Sequence, residues 1–162
     1  MNVLQKALET FLPRECILRG SSVSEKGRSF VIRKNRGDKV VGARIKGIEG
    51  KKTCDAVFLC RKAGMKSLGV VLVELKGGNV SRAVKQISDT ASWLCRKGGE
   101  PHNLVEKSGL GGHGGRVNAF IVARKGLQQK QIEKARLSKR GIRLVIKSRS
   151  WLTVDISEVA AA

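Results

Sequence analysis

Apolar side chains recur along the chain with two different spacings. Between residues 2 and 12, and again between residues 80 and 94, they return every three to four positions, which predicts two amphipathic helices. Pro13 ends the first helix, and Asn79 is in place to cap the second. Short apolar runs bounded by glycines or polar turns predict strands at residues 29–34, 39–45, 53–60, 69–76, 116–123 and 141–147.

The order of these elements indicates the fold class. The NRGD turn at residues 35–38 predicts that residues 39–45 return beside the strand that precedes them. A basic helix is expected over residues 127–140, with Gly141 just after its end. Helices interspersed with strands are typical of an α/β (α+β) fold, a mixed central β-sheet flanked by helices. Since no repeat or long linker divides the chain, we expect a single domain over residues 1–162.

Charge narrows the class of partner. Lys and Arg number 33 against 13 Asp and Glu in 162 residues, so the formal net charge is +20. Hydrophobic residues make up 41%, enough for a core, and the charge is spread along the whole chain rather than confined to a tail. Such a domain repels itself unless an anion neutralises it, so nucleic acid is the expected partner and an anionic membrane surface is the second choice. A small-molecule metabolic enzyme is disfavoured.

The cysteines and the apolar runs indicate the compartment. Cys16, Cys54, Cys60 and Cys95 contain no CxxC pair, so zinc spacing is absent, and we expect reduced, mostly buried thiols. No apolar run approaches the ~20 residues of a membrane span. The N-terminal segment does not resemble a signal peptide. A cytoplasmic or nucleoid-associated protein without a membrane partner is therefore expected.

Two predicted strands, CDAVFLC and GVVLVELKGG, each carry a carboxylate within an apolar run. An acidic residue in such a strand is costly unless it has a function. A hairpin turn centred between Gly64 and Met65 places Asp55 directly opposite Glu74. Since side chains alternate between the faces of a strand, Glu74 and Lys76 share one face.

Two carboxylates this close repel each other unless a cation lies between them or one of them holds a proton. Hard divalent cations prefer oxygen ligands, so Mg²⁺ or Mn²⁺ is the expected cofactor at Asp55 and Glu74. Lys76 is well placed to orient or activate a water near the metal. A metal here would polarise a phosphate oxygen and lower the pKa of bound water, and the basic surface indicates that the phosphate belongs to nucleic acid.

This pattern resembles the PD-(D/E)xK nuclease superfamily, which includes restriction endonucleases, Holliday-junction resolvases and RecB-like exonucleases. The resemblance implies a restriction-endonuclease-like core with Asp55 on one strand of a central hairpin and Glu74-x-Lys76 on the next. By the family's pattern, Asp55, Glu74 and the main-chain carbonyl of Leu75 bind the metal, and Lys76 positions the attacking water. The implied activity is metal-dependent endo- or exonucleolytic cleavage of duplex or branched DNA, with a homodimer expected for an enzyme of this size.

Two further residues match supporting positions of the superfamily. Gln86 lies on the helix after the ExK strand, and Glu9 lies on the first helix, as in resolvase-like members. The alternative for both is an ordinary helix residue. The sequence departs from the pattern at Cys54, which stands where Pro precedes the Asp, and in having no Tyr after Gln86.

The basic residues also fit a second function, a non-catalytic nucleic-acid-binding module of the ribosome-associated or architectural kind. Such a binder has no reason to place two carboxylates together within a basic surface. Aromatic residues make up only 4%, so a base-stacking surface is not expected. The candidate nucleic-acid contacts are Arg82, Lys85, His113, Arg116, Lys130 and Lys134.

Overall fold

The structure is a computed structural model that describes residues 3–10, 12–65, 68–76, 79–94, 117–123, 134 and 136–160. These residues confirm the predicted fold class, an α+β fold with a mixed sheet flanked by helices. The α-helices described from end to end are α1 (Val3–Glu9), α2 (Val80–Leu94) and a short α3 (Ile156–Val159), and short 3-10 helices lie at Arg14–Cys16 and Ile48–Gly50. The strands are β1 (Ser22–Glu25), β2 (Arg28–Arg33), β3 (Lys39–Arg44), β4 (Ala56–Arg61), β5 (Gly69–Lys76), β6 (Val117–Ala123), β7 (Ile142–Ser148) and β8 (Trp151–Asp155).

Five strands form a large mixed sheet in the order β3-β4-β5-β6-β7. Its first three strands are antiparallel neighbours, whereas β5, β6 and β7 run parallel to one another. In the β4–β5 hairpin Ala56 lies opposite Val73, which is the register predicted from the sequence. This hairpin occupies the middle of the sheet, and its strands are buried on both faces, so they read as continuous apolar runs.

Three further strands form a small sheet in the order β1-β2-β8. The turn between β1 and β2 places Lys26 and Gly27 at φ values of 49° and 76°, as a tight hairpin turn requires. The sequence does not single out β1, and the tail that contains β8 has no clear pattern. β8 runs parallel to β2, with Phe30 opposite Leu152.

The predicted pairing of residues 39–45 with the preceding strand is wrong, because β3 pairs with β4 in the large sheet. The NRGD turn instead carries the chain from one sheet to the other. The Asp38 carboxylate holds this crossing in place, since it accepts the Asn35 N–H and the Ala63 N–H, both at 2.8 Å. Ala63 follows β4, so the turn is fixed to the large sheet.

The large sheet is covered on both faces. Leu72 and neighbouring side chains of one face pack with α1 and α2. Val71 and Val73 face the small sheet and α3. The contact between the two sheets centres on Phe30 of β2, whose ring centroid lies 5.9 Å from that of Phe58 and 5.1 Å from that of Phe120. The two sheets therefore share one apolar cluster.

Helix α2 begins and packs as its sequence predicts. The Asn79 side-chain oxygen accepts the Arg82 N–H at 2.9 Å, so Asn79 is the N-cap. Of the basic helix predicted over residues 127–140, the structure describes helical residues at Lys134 and 136–138. Gly141 follows at a φ of 75°, the left-handed conformation expected after a helix end.

The described cysteines agree with the predicted reduced state. Cys16, Cys54 and Cys60 are free, and the last two are buried. Burial raises the pKa of each buried thiol to about 12, so both remain protonated near neutral pH. Cys95 lies outside the described residues. In the part of the chain that the structure describes, no helix is long and apolar enough to cross a membrane.

Candidate active site

The two carboxylates singled out in the sequence lie at one end of the β4–β5 hairpin. Ala56 lies opposite Val73 in this antiparallel pair. The residue before Ala56, Asp55, therefore lies opposite the residue after Val73, Glu74. Both are almost completely buried, with 1% and 2% of their surface exposed. Glu74 is two positions from Leu72 and therefore lies on the helix-covered face of β5.

Asp55 immediately precedes β4 and closes the end of the hairpin. Its Oδ2 accepts the main-chain N–H of Leu75 at 2.7 Å, so the carboxylate is fixed against the backbone between Glu74 and Lys76. Lys76 is the last residue of β5 and pairs with Ala123, but its side chain is not among the described parts of the chain.

The surroundings of Asp55 favour its protonated form. Burial, together with a hydrogen bond shared with Glu25 and the charge of Glu25, raises the pKa of Asp55 to about 6. The Leu75 N–H and the Lys46 ammonium act in the opposite direction. Asp55 therefore holds a proton in mildly acidic solution and becomes a buried anion only near neutral pH.

Glu25 and Lys46 are site residues that the sequence does not reveal. The Lys46 Nζ donates to Glu25 Oε1 at 2.7 Å and lies 4.0 Å from Asp55 Oδ1. The hydrogen bond to Glu25, followed by the charges of Asp55 and Glu74, raises the pKa of Lys46. The same hydrogen bond lowers the pKa of Glu25. One ammonium group thus contacts Glu25, lies beside Asp55 and is influenced by the charge of Glu74.

Helix α2 tethers the chain segment that leads into Asp55. Gln86 donates through Nε2 to the Thr53 carbonyl at 3.4 Å, and the Thr90 hydroxyl accepts the Cys54 N–H at 2.8 Å. The Gln86 side-chain oxygen is buried and has no hydrogen-bond partner among the described residues. Gln86 therefore lies beside the backbone of the site, as its proposed supporting role requires.

Glu9, the other supporting candidate, has different neighbours. It accepts a hydrogen bond from Gln5 at 3.0 Å and lies 3.7 Å from Arg14. No contact in the described part of the chain joins Glu9 to Asp55 or Glu74. Its surroundings are those of an ordinary helix residue.

The basic candidates are dispersed. Arg82 and Lys85 are exposed on α2, and Lys85 forms an ion pair with Asp89 at 2.9 Å. Lys134 is helical and partly exposed. His113, Arg116 and Lys130 lie outside the described residues.

The two carboxylates of the site can hold a hard cation such as Mg²⁺ only if backbone and substrate oxygens complete its coordination. Among the described residues, no three His, Cys, Asp or Glu side chains are grouped so that they hold a metal by themselves. Mg²⁺ is commonly bound by one or two carboxylates together with waters and substrate phosphates. Asp55 and Glu74 fit that pattern, and a metal would take the place of the proton that Asp55 retains because burial raises its pKa.

No family model matches the sequence, and neither the curated proteins nor the solved structures contain a match to this chain. The residues of the site are therefore the basis for a functional assignment.

Proposed function

We propose that this protein is a divalent-metal-dependent nuclease that hydrolyses phosphodiester bonds in duplex or branched DNA. The observation that carries the proposal is the buried pair Asp55 and Glu74, opposed at the end of a central hairpin in a chain of net charge +20. Burying two carboxylates together is costly, and a positive ligand offsets that cost.

Asp55, Glu74 and the Leu75 carbonyl would hold Mg²⁺ or Mn²⁺. The bound metal supplies Lewis-acid chemistry, since it polarises a phosphate oxygen and lowers the pKa of a bound water. Asp55 must lose its proton before it serves as a ligand, and the Lys46 ammonium 4.0 Å away favours that ionised form. The Leu75 N–H keeps the Asp55 carboxylate oriented.

In this proposal Lys76 would position the attacking water, the role that the Glu74-x-Lys76 pattern implies. Gln86 supports the site through the Thr53 carbonyl, two residues before Asp55. The even distribution of the 33 basic side chains provides the field that brings the DNA backbone to the acidic pair.

The test is cleavage by variants that keep the shape of the site. Glu74→Gln and Lys76→Ala should each lower the rate of Mg²⁺-dependent cleavage at least ~100-fold, because each removes a group that acts on the reacting atoms. DNA affinity measured without metal should stay within about twofold. Substrates should include supercoiled plasmid, a linear duplex and a four-way junction.

Two exposed residues provide matched controls. Glu158→Gln removes a carboxylate from α3, and Lys139→Ala removes a basic side chain, both at exposed positions. Both should cleave at the wild-type rate. Undiminished cleavage by Glu74→Gln and Lys76→Ala would exclude the mechanism. DNA binding without cleavage of any substrate, and without a Mg²⁺-specific rise in melting temperature at fixed ionic strength, would favour the non-catalytic binding module.

A further inference from the structure

A basic pocket lies where the turn of the β1–β2 hairpin meets the β7–β8 turn. It has a volume of about 340 Å³ and is lined by Lys26, Gly27, Arg28, Ser148, Arg149 and Ser150. Three of these residues are cationic, and none is acidic. The main-chain hydrogen bond from Ser29 to Ser150 joins the two turns at 3.0 Å, so the pocket is part of the sheet framework.

Arg28 carries a polar group that a ligand would satisfy. Its Nε is buried and has no hydrogen-bond partner among the described residues. A buried N–H group without an acceptor costs free energy. The oxygens of a phosphate would provide that acceptor, and the two neighbouring cations, Lys26 and Arg149, would neutralise its charge.

An exposed aromatic residue lies at the rim of the pocket. Trp151 follows Ser150 directly and has 57% of its surface exposed, although most large apolar side chains of the described chain are buried. The Arg149 guanidinium carbon lies 5.8 Å from the Trp151 ring centroid, within range of a cation–π interaction. A large aromatic surface beside a cationic pocket is the pairing by which proteins bind an unpaired base together with its phosphate.

The pocket adjoins the candidate active site through one peptide bond. Glu25, which contacts Lys46, is the residue before Lys26, and it lies opposite Arg28 in the hairpin. Lys46 Nζ in turn lies 4.0 Å from Asp55 Oδ1, so a chain of contacts leads from the hairpin that carries the pocket to the acidic pair. The pocket is thus connected to the candidate active site through the β1–β2 hairpin.

We propose that this pocket binds single-stranded nucleic acid, with a phosphate between Lys26, Arg28 and Arg149 and a base stacked on Trp151. A base inside a duplex cannot stack on a side chain, so the site selects unpaired ends, gaps or displaced strands. That the bound strand is a substrate rests on the proposed nuclease activity. The binding of the strand to the pocket does not. The +20 charge indicates a nucleic acid of any kind, whereas this pocket favours one with unpaired nucleotides.

The test uses the full-length protein in EDTA, so that binding is measured without metal or cleavage. A labelled oligo(dT) is titrated and followed by anisotropy, while quenching of Trp emission reports on Trp151, because a base cannot stack on Trp93, which is only 7% exposed. Saturable binding with quenching is expected. Trp151→Ala should weaken binding about tenfold, and Trp151→Phe should retain most of it because a ring remains to stack.

Charge is tested separately. Lys26→Gln with Arg149→Gln should weaken oligo(dT) binding about tenfold or more and lower its dependence on salt. The control is Lys6→Gln with Lys39→Gln, which removes two exposed charges elsewhere and should have a much smaller effect. All four of these positions are exposed, so folding should be preserved.

Three results would overturn the proposal. They are unchanged affinity in Trp151→Ala, equal weakening by the two double variants, and a loss of blunt-duplex binding in Trp151→Ala as large as the loss of oligo(dT) binding. Quenching by inorganic phosphate alone at the same concentration would indicate an anion site without base recognition and would also overturn it. Failure of metal-dependent cleavage with intact oligo(dT) binding would reject the nuclease and leave this site in place.

Discussion

The two sheets of this protein differ in how they are built and in what they carry. The large sheet is assembled from strands with long apolar runs, and it holds the buried acidic pair Asp55 and Glu74. The small sheet is assembled from short strands at distant positions in the chain, and its turns carry the basic pocket and Trp151. The carboxylates proposed for chemistry are thus buried, whereas the proposed contacts for nucleic acid are at the surface.

Three of the contacts between the sheets make the two regions interdependent. Phe30 packs into the large sheet, Glu25 reaches the acidic pair through Lys46, and α3 extends from β8 across β5. The small sheet buries its apolar face only against the large sheet, so its stability depends on that contact. Each link can be broken separately.

The aromatic link should have the largest effect on stability. Phe30 has none of its surface exposed and contacts Phe58 and Phe120. Phe30→Ala should lower the free energy of unfolding by about 3–5 kcal/mol, through lost burial and a cavity between the sheets. Urea denaturation followed by far-UV circular dichroism measures this loss.

Val31, the next residue of β2, provides the control because it is only partly buried. Val31→Ala should cost less than about 1 kcal/mol. A Phe30→Ala protein of nearly wild-type stability would mean that the small sheet does not depend on the large one. Two separate unfolding transitions in the wild-type protein would lead to the same conclusion.

The contrast between the sheets also explains how much of the structure the sequence predicts. β4, β5 and α2 were predictable because apolar spacing, a polar turn and Asn79 all act locally. The β4–β5 register followed from the same local turn. By comparison, β1 carries a single buried apolar side chain, Val23, and β8 pairs with a strand far away in the chain, so neither has a local pattern that identifies it.

The candidate site divides in the same way. Asp55, Glu74 and Lys76 were found because they belong to one hairpin. Glu25 and Lys46 were missed because their meeting depends on how the small sheet docks, and the wrong pairing of β3 obscured it further. Trp151 lies in a tail without a pattern, and composition alone argued against a stacking surface.

The acidic link should make stability depend on pH. The folded chain binds the Asp55 proton more tightly than the unfolded chain, since burial raises its pKa to about 6. The stabilisation is complete at low pH and is lost as pH rises through about 6, with a size of up to about 3 kcal/mol. Glu25 opposes this trend, because Lys46 lowers its pKa and its contribution is lost as pH falls.

Asp55→Asn isolates the contribution of Asp55 to the pH dependence of stability, because the Asn amide does not titrate between pH 4 and pH 8. The stability of Asp55→Asn relative to wild type, measured in EDTA, should rise between pH 4 and pH 8 by up to about 3 kcal/mol. Mg²⁺ at pH 8 should stabilise wild type but not the variant, since only ionised Asp55 binds the cation. A stability difference that is the same at both pH values would contradict the raised pKa.

The backbone link should have the smallest effect of the three. A Cβ at Gly69 would overlap the carbonyl oxygen of Val159 and lie 3.0 Å from the Cα of Ala160, so β5 and the end of α3 are in direct contact. Gly69→Ala should cost about 1–3 kcal/mol, because backbone atoms cannot move aside as a flexible side chain does. Urea denaturation again measures the change.

Gly20→Ala is the matched control, since a Cβ at Gly20 meets no atom within 4 Å. It should leave stability within about 0.5 kcal/mol of wild type. If Gly69→Ala acts by displacing α3, carboxypeptidase should remove residues of α3 faster from this variant than from wild type. The packing of Phe30 between the sheets should not change. Equal stabilities of the two alanine variants would show that the contact between Gly69 and α3 adds nothing to the union of the sheets.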